Sequence, residues 1–174
     1  MLTRRQFIKA GLIGGAALTA AGVFYSRSLK EAPSAAVPRG LTLQERAIIA
    51  ALVPAILAGA LPESGEARAK AIAQTVDGVG VAIAGLSAAA QKELSELFAI
   101  LGVAPGRVLL ARLWPSWEQA STAEIAAFLQ GWRESRFALL RSAYAGLHDL
   151  VLGAWYGNPD TWAGIDYPGP PEML

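Results

Sequence analysis

Few side chains in this chain have types and spacings suited to chemistry, and the first candidate is the only histidine, His148, which Asp149 follows directly. A histidine that is oriented by a carboxylate can act as a general base. Helical neighbours at i and i+1 project from different sides, however, so this pair does not by itself form a base and its orienting group. A histidine among apolar neighbours is more often a hydrogen-bonded structural residue, and we predict that role for His148.

The sequence lacks the residue sets of the common cofactor and metal sites. It contains no cysteine, which excludes iron–sulfur clusters, thiolate zinc, covalent c-type haem and disulfides. The carboxylates are scattered without Glu/His pairs at i, i+3 or i+4, and the serines have no matched base. Gly78 and Gly80 form a Gly-x-Gly pattern, but no strand signal precedes it, so no dinucleotide-binding turn is indicated. We therefore predict no catalytic, cofactor-binding or metal-binding residue in this chain.

Three arginines, Arg133, Arg136 and Arg141, lie close together in a region of helical periodicity. Such a patch can dock on an acidic surface of a partner protein, although a solvated helix face has the same composition. Nucleic-acid binding is not predicted, because residues 37–174 carry ten basic and thirteen acidic residues, a net charge of −3.

The first nine residues contain a pattern that is typical of an export signal. Two adjacent arginines, Arg4 and Arg5, are followed by Phe7 and Lys9 and then by sixteen uncharged residues, 10–25, which are mainly Ala, Gly and Leu. The pattern resembles the twin-arginine translocation signal, which a receptor reads as an address. That resemblance implies export of a folded protein to the periplasm by the twin-arginine translocase.

An ordinary secretory signal is the alternative, because it also joins a basic region to an apolar one. Four glycines in the apolar run lower its hydrophobicity and favour the twin-arginine interpretation. The run is shorter than the roughly 20 residues of a spanning helix. The alternative that an uncleaved leader tethers the protein to the inner membrane is nevertheless kept. Ser34-Ala35-Ala36 is a predicted cleavage site. Residues 1–36 are accordingly predicted to form the signal segment, with an N-terminal signal helix, and a linker.

Residues 37–156 are predicted to form a helical domain, which begins at the capping box Thr42-x-x-Glu45. Apolar residues at spacings of three and four continue from there to Leu57. Pro54 is predicted to kink this helix or end its regular hydrogen bonding, because proline lacks an N–H and its ring crowds the preceding turn.

A second helix is predicted over residues 66–83. Gly78 and Gly80 weaken it, so they mark either a break or a place where another helix packs closely. Ser87 is predicted to start the next helix and Gly102 to end it as a left-handed cap.

The last helical part is longer. A short helical segment is predicted over residues 105–113, and Ser121-x-x-Glu124 is a second capping box. Residues 122–155 then form either one long helix or two helices with a break near Gly131 or Glu134. Strand signals are nearly absent. The fold class is therefore all-α, a compact helical bundle of about four to six helices.

Residues 157–174 differ from the domain, because glycine, proline and aromatic residues predict an extended C-terminal tail. A stiff segment loses little entropy on docking, and Trp and Tyr are frequent interface anchors. We predict partner contacts at the end of the last helix and along the tail, at Trp155, Tyr156, Trp162, Tyr167, Pro168, Gly169 and Pro170. The alternative is that Trp162 and Tyr167 fold back to cover the core of the bundle itself.

Several of these features occur together in one family. The twin-arginine leader, the all-helical body, the segment Trp132-Arg133-Glu134-Ser135-Arg136 and the tail Tyr-Gly-Asn-Pro-x-x-Trp-x-x-Ile-x-Tyr-Pro-Gly-Pro-Pro over residues 156–171 resemble the gluconate 2-dehydrogenase subunit 3 family. Asp166 departs from the glycine expected at its position. The match covers both ends of the chain, and its middle only in general character.

The resemblance implies a function without catalysis in this chain. Members of that family are small accessory, or gamma, subunits of flavin dehydrogenases, whose large subunit is a glucose–methanol–choline (GMC) oxidoreductase that holds FAD. The small subunit supports maturation of the flavoprotein in a chaperone-like role and carries it through the export pathway. The implied complex can also include a cytochrome c subunit, which this cysteine-free chain does not encode. The alternatives are a membrane-tethered periplasmic structural or binding protein and a stand-alone enzyme.

Overall fold

The computed structural model describes residues 40–165 and 167–169, without the side chains of residues 163–165. Six α-helices follow one another in this part, with no strand: α1 Leu43–Ile56, α2 Gly65–Ala84, α3 Ala88–Gly102, the single turn α4 Ala104–Gly106, α5 Thr122–Arg133 and α6 Ala138–Tyr156. A π-helix, Arg107–Ala111, continues α4, and a 3₁₀-helix, Pro159–Ile165, follows α6. The predicted all-α bundle is confirmed.

Helix α1 is the central element of the bundle, because α2, α3, α5 and α6 all pack against it. Its side chains Ile48, Ile49, Leu52 and Val53 are at most 1% exposed. Burial of one such side chain contributes about 1.5–3 kcal/mol to folding. The apolar spacing seen in the sequence thus becomes the hydrophobic core around which the other helices are arranged.

The predicted capping box starts α1. The hydroxyl oxygen of Thr42 accepts a hydrogen bond from the backbone N–H of Glu45 at 3.2 Å, and the Glu45 carboxylate accepts one from the backbone N–H of Thr42 at 2.7 Å. Pro54 lies in the last turn, and the helix ends two residues later at Ile56. Its position agrees with the predicted end of regular hydrogen bonding.

Helix α2 runs without a break through both of its inner glycines, so the close-packing interpretation is the correct one. A Cβ on Gly78 would lie 3.1 Å from the Cβ of Ala154 on α6, and a Cβ on Gly80 would lie 3.3 Å from the side chain of Leu41. The absence of a side chain at Gly78 lets α2 and α6 approach closely.

The C-terminal helical region is divided into two helices. Helix α5 ends at Arg133, with Glu134 as its C-cap, and α6 begins at Ala138. In the connection the guanidinium of Arg141 donates a hydrogen bond to the Ser135 carbonyl oxygen at 2.7 Å. Of the two arrangements that the sequence left open, the break at Glu134 is the observed one.

The end of α3 differs from the prediction of a left-handed glycine cap. Gly102 is the last helical residue, and Val103 after it is extended, with φ −89° and ψ 144°. The chain then bends by 90° into the segment Ala104–Ala111. The residue in the left-handed region is instead Arg112, with φ 55°, where the π-helix ends.

The first half of the tail is helical, so the prediction of an extended segment from residue 157 is wrong there. Asn158 precedes the 3₁₀-helix, and its side-chain oxygen accepts a hydrogen bond from the backbone N–H of Asp160 at 3.1 Å. Pro159 occupies the first helical position, where a missing N–H costs nothing. The Asn-Pro pair, predicted to belong to an extended segment, therefore starts a short helix.

Candidate binding groove

An open groove lies between α3 and α6 in the described part of the chain, with a cavity volume of about 770 Å³. Its lining residues on α6 run from Leu139 to Gly153, a length of about 21 Å at 1.5 Å per residue. The end of α2, the π-helix and Trp132 of α5 complete the walls. The dimensions are those of a trough open to solvent along one side.

The lining of the groove is mostly apolar. Its half-buried floor includes Leu94, Leu97, Leu140 and Leu150. Large apolar side chains stand exposed around this floor, namely Leu86, Ile100, Leu110 and Leu139, of which Leu139 is 79% exposed. An apolar surface of this extent on a folded domain is a feature of interaction sites.

Among the residues that the structure describes, the charged ones that line the groove are all acidic. Glu93 and Glu96 lie on α3, and Asp149 lies on α6 across from them. Glu96 also forms an ion pair of 4.0 Å with Lys92, which is itself outside the lining. The groove therefore combines an apolar floor with a negative rim.

The π-helix shapes one end of the groove. A π-helix leaves carbonyl groups outside the usual i to i−4 pattern, and the indole N–H of Trp132 donates a hydrogen bond of 2.9 Å to one of them, that of Leu110. Behind this wall, Trp117 donates its indole N–H to the Leu101 carbonyl oxygen at 2.9 Å. Two buried tryptophans thus join α3, the π-helix and α5.

The aromatic rings behind the wall pack on one another. The ring of Phe128 meets that of Trp132 edge to face, with 4.7 Å between centroids, and that of Trp117 at 6.0 Å. Edge-to-face pairs add about 0.5–1.5 kcal/mol beyond burial. Phe128 therefore packs between the two tryptophan rings.

The predicted tail residues fall into two groups. Trp155 is only 7% exposed and packs in the core, whereas Tyr156 and Tyr167 are 46% and 45% exposed. Trp162 donates its indole N–H to the Tyr156 carbonyl oxygen at 2.7 Å, and its ring meets Tyr167 edge to face at 5.2 Å. The tail thus folds back on the end of α6 and still presents aromatic surface.

The remaining described tail residues, Pro168 and Gly169, complete the fold-back of the tail. Pro168 is exposed, and Gly169 has φ +96°, a conformation that favours glycine. A Cβ on Gly169 would lie 3.1 Å from the Trp162 ring. Pro170 and the export-signal residues Arg4, Arg5, Phe7 and Lys9 lie outside the described residues. Partner binding by the tail stays a prediction.

His148 shows no catalytic arrangement with its neighbour. Its Nδ1 lies 3.6 Å from Oδ1 of Asp149, beyond hydrogen-bond distance, and its ring packs 5.4 Å from that of Tyr144. No group of three or more His, Asp or Glu residues able to hold a metal ion occurs in the described part of the chain.

The three arginines of the predicted patch are exposed around the α5–α6 connection. Arg136 lies over the ring of Phe137, 4.8 Å from its centroid, and Arg141 is held by its hydrogen bond to Ser135. The hydrogen bond of Arg141 uses part of its donor capacity within the chain. Docking on an acidic partner surface stays a prediction for this patch.

The chain has no match among protein-family models, curated proteins or solved structures. Among the described helices, none alone is long and apolar enough to cross a membrane, whereas the bent pair Ala88–Gly102 and Ala104–Ala111 meets that condition by length and composition.

Sequence reasoning missed the groove, although two signals for it were present. Helix α6 carries a second row of apolar or small residues beside its core row, at Leu140, Ala143, Gly146, Leu150 and Gly153. The domain is also short of charge, with 17% charged residues in the whole chain against the usual 25% or so. Both features indicate apolar surface that the described residues leave uncovered.

Proposed function

We propose that this protein is a non-catalytic small subunit that binds a flavin-dependent dehydrogenase of the GMC type and accompanies it through the twin-arginine export pathway. The observation that carries the proposal is the open apolar groove between α3 and α6, with large aliphatic side chains exposed on its rim. Exposed apolar surface of this kind is typical of a subunit that functions with a protein partner.

The sequence supplies the rest of the argument. The residues Arg4 and Arg5, followed by an apolar run, support export by the twin-arginine route, and the Tyr-Pro-Gly-Pro tail supports membership of the small-subunit family. In this proposal FAD belongs to the large subunit, and the small subunit acts as a chaperone-like escort during maturation. The complex then resides in the periplasm, where attachment to the inner membrane and a cytochrome c subunit fit the same scheme.

Affinity purification of the tagged full chain from its native host, with mass spectrometry and a flavin absorbance spectrum, tests the proposal. We expect one large co-purifying polypeptide with bound flavin. A colourless preparation of this chain alone, obtained under mild extraction, contradicts the proposal and supports the tethered or stand-alone alternatives.

The export step has its own test. Replacement of Arg4 and Arg5 by lysine is expected to retain both this protein and the flavoprotein in the cytoplasm, because the receptor recognises the arginine pair. The double variant Arg46→Lys/Arg68→Lys is a matched control that makes the same change in the folded domain, at arginines outside the predicted docking patch. Periplasmic flavoprotein in the first variant, measured by fractionation, contradicts the assigned route.

A further inference from the structure

We infer that the groove between α3 and α6 binds one amphipathic helix of a partner polypeptide, with its apolar face on the floor and basic residues at its flanks. The inference rests on the proposed function for the source of that helix, which is then the dehydrogenase subunit. The chemistry of the groove does not depend on that source.

The shape of the groove fits a helix. Its α6 wall is about 21 Å long, the length of roughly 14 helical residues or four turns. A helix in a groove of this length places apolar anchors at i, i+3 or i+4 and i+7 on the floor. Leu94, Leu97, Leu140 and Leu150 offer a continuous apolar floor to such anchors.

Small-molecule sites differ from this groove in their polar groups. Their pockets place a few converging polar groups that fix the orientation of the ligand. Here the polar lining residues are Ser142 and the three carboxylates, all in exposed positions. The polar groups therefore surround the floor. A long apolar ligand matches this lining better than a small molecule does.

The charge of the rim selects the partner. Glu93, Glu96 and Asp149 carry negative charge, and no lysine or arginine of the described residues lines the groove. Opposite charges across an interface favour encounter and orientation, whereas like charges oppose them. A helix with lysine or arginine at its flanks is thus favoured, and an anionic membrane surface is disfavoured.

A second copy of this chain is a poorer occupant. An isologous dimer through the groove would place the same patch on both sides of a two-fold axis. The acidic rims of the two copies would then face each other and repel. We therefore assign the groove to a different polypeptide.

The absence of cysteine permits a direct binding experiment on the full chain. An environment-sensitive fluorophore is attached at Ser142→Cys in the groove and, as a control, at Ala126→Cys on the exposed side of α5. The probe is a synthetic 18-residue helix with leucines on one face and lysines at both ends. A second probe has glutamate in place of each lysine.

We expect saturable binding of the lysine peptide at the Ser142 label, at least tenfold tighter than that of the glutamate peptide. Glu93→Lys/Asp149→Lys should reverse this preference, whereas Glu63→Lys/Glu118→Lys, outside the groove, should retain it.

Gly146→Leu/Gly153→Leu should weaken the binding of both peptides at least tenfold. A Cβ at either glycine meets nothing within 4 Å, so the added side chains enter the groove without a clash. Gly131→Leu on α5 is the matched control.

The inference is overturned if neither peptide binds, if both bind alike, or if the two labels respond equally. It is also overturned if the Ser142 label responds to rising protein concentration alone, since a second copy is then the occupant. A chain that binds the lysine peptide but brings no flavoprotein from the native host retains the groove inference and loses the proposed function. If the chain binds neither peptide, and the flavoprotein co-purifies equally with the original chain and with Gly146→Leu/Gly153→Leu, the proposed function is retained and the groove inference is lost.

Discussion

The indole N–H of Trp132 donates a hydrogen bond of 2.9 Å to the carbonyl oxygen of Leu110, which joins the middle of the bundle to the wall of the groove. Trp132 is 3% exposed, whereas Leu110 is 37% exposed. One contact thus connects a core side chain to a segment that presents apolar surface. The stability of the core and the shape of the groove are expected to depend on it together.

Replacement of Trp132 by phenylalanine is expected to lower the free energy of unfolding by about 1–3 kcal/mol, because the Leu110 carbonyl loses its donor in a part-buried place. Urea unfolding followed by circular dichroism at 222 nm measures this change. Trp114→Phe is the control, since Trp114 is 80% exposed and its replacement should change stability by less than about 0.5 kcal/mol. Equal losses in the two variants contradict the role of the Trp132 contact.

Two glycine-to-alanine substitutions are expected to change the stability of the protein in opposite directions. A Cβ on Gly106 would collide with the carbonyl oxygen of Ile100, so Gly106→Ala forces the backbone to shift and should cost about 1–3 kcal/mol. Gly131 lies in α5 with nothing within 4 Å of its Cβ position. Gly131→Ala should therefore stabilise the protein by about 0.4–1 kcal/mol. Thermal and urea unfolding measure both, and a stabilised Gly106→Ala contradicts the tight bend after α3.

The pKa of Glu124 is lowered by the hydrogen bond from the backbone N–H of Ser121 and, next, by that from the Ser121 hydroxyl. A folded-state pKa below the unfolded value means that the interaction stabilises the protein above the unfolded pKa and is lost as pH falls through the folded pKa. Ser121→Ala removes the hydroxyl alone, so the pKa of Glu124 should rise part of the way to its ordinary value.

Carboxyl titration by NMR measures that rise. Ser87→Ala is the control, because Ser87 caps α3 through the backbone N–H of Ala90 without a carboxylate partner in the cap. This variant should leave the titration of Glu124 unchanged. An unchanged titration in Ser121→Ala means that the backbone N–H alone sets the pKa.

The sequence was informative where one local interaction decides the structure. The capping boxes at Thr42 and Ser121 place the starts of α1 and α5, because their hydrogen bonds join residues three apart. The bend after Gly102 could not be predicted in the same way. There the backbone follows contacts between distant residues, such as the one from Trp117 to Leu101.

The groove could not be predicted from the sequence for a related reason. Leu97 and Leu140 occur at helical spacing among other apolar residues, and such spacing identifies an apolar face but not the element that covers it. In the structure these two residues line the groove between α3 and α6. Only the three-dimensional arrangement shows that part of this surface has no cover among the described residues.

The tail gives the last prediction, which separates its own packing from partner binding. Trp162→Phe removes the 2.7 Å hydrogen bond to the Tyr156 carbonyl and should open residues 159–165 and 167–169 locally, with faster amide exchange there and little change in global stability.

Trp155→Ala is the contrasting variant, because it empties a core position and should cost about 3–5 kcal/mol. Tyr167→Ala, at a 45% exposed ring, should leave the fold stable and weaken co-purification of the flavoprotein. Hydrogen exchange, urea unfolding and the purification assay measure these three effects separately. If Tyr167→Ala lowers global stability as Trp155→Ala does, the tail serves to cover the bundle, and partner binding is then expected from the groove alone.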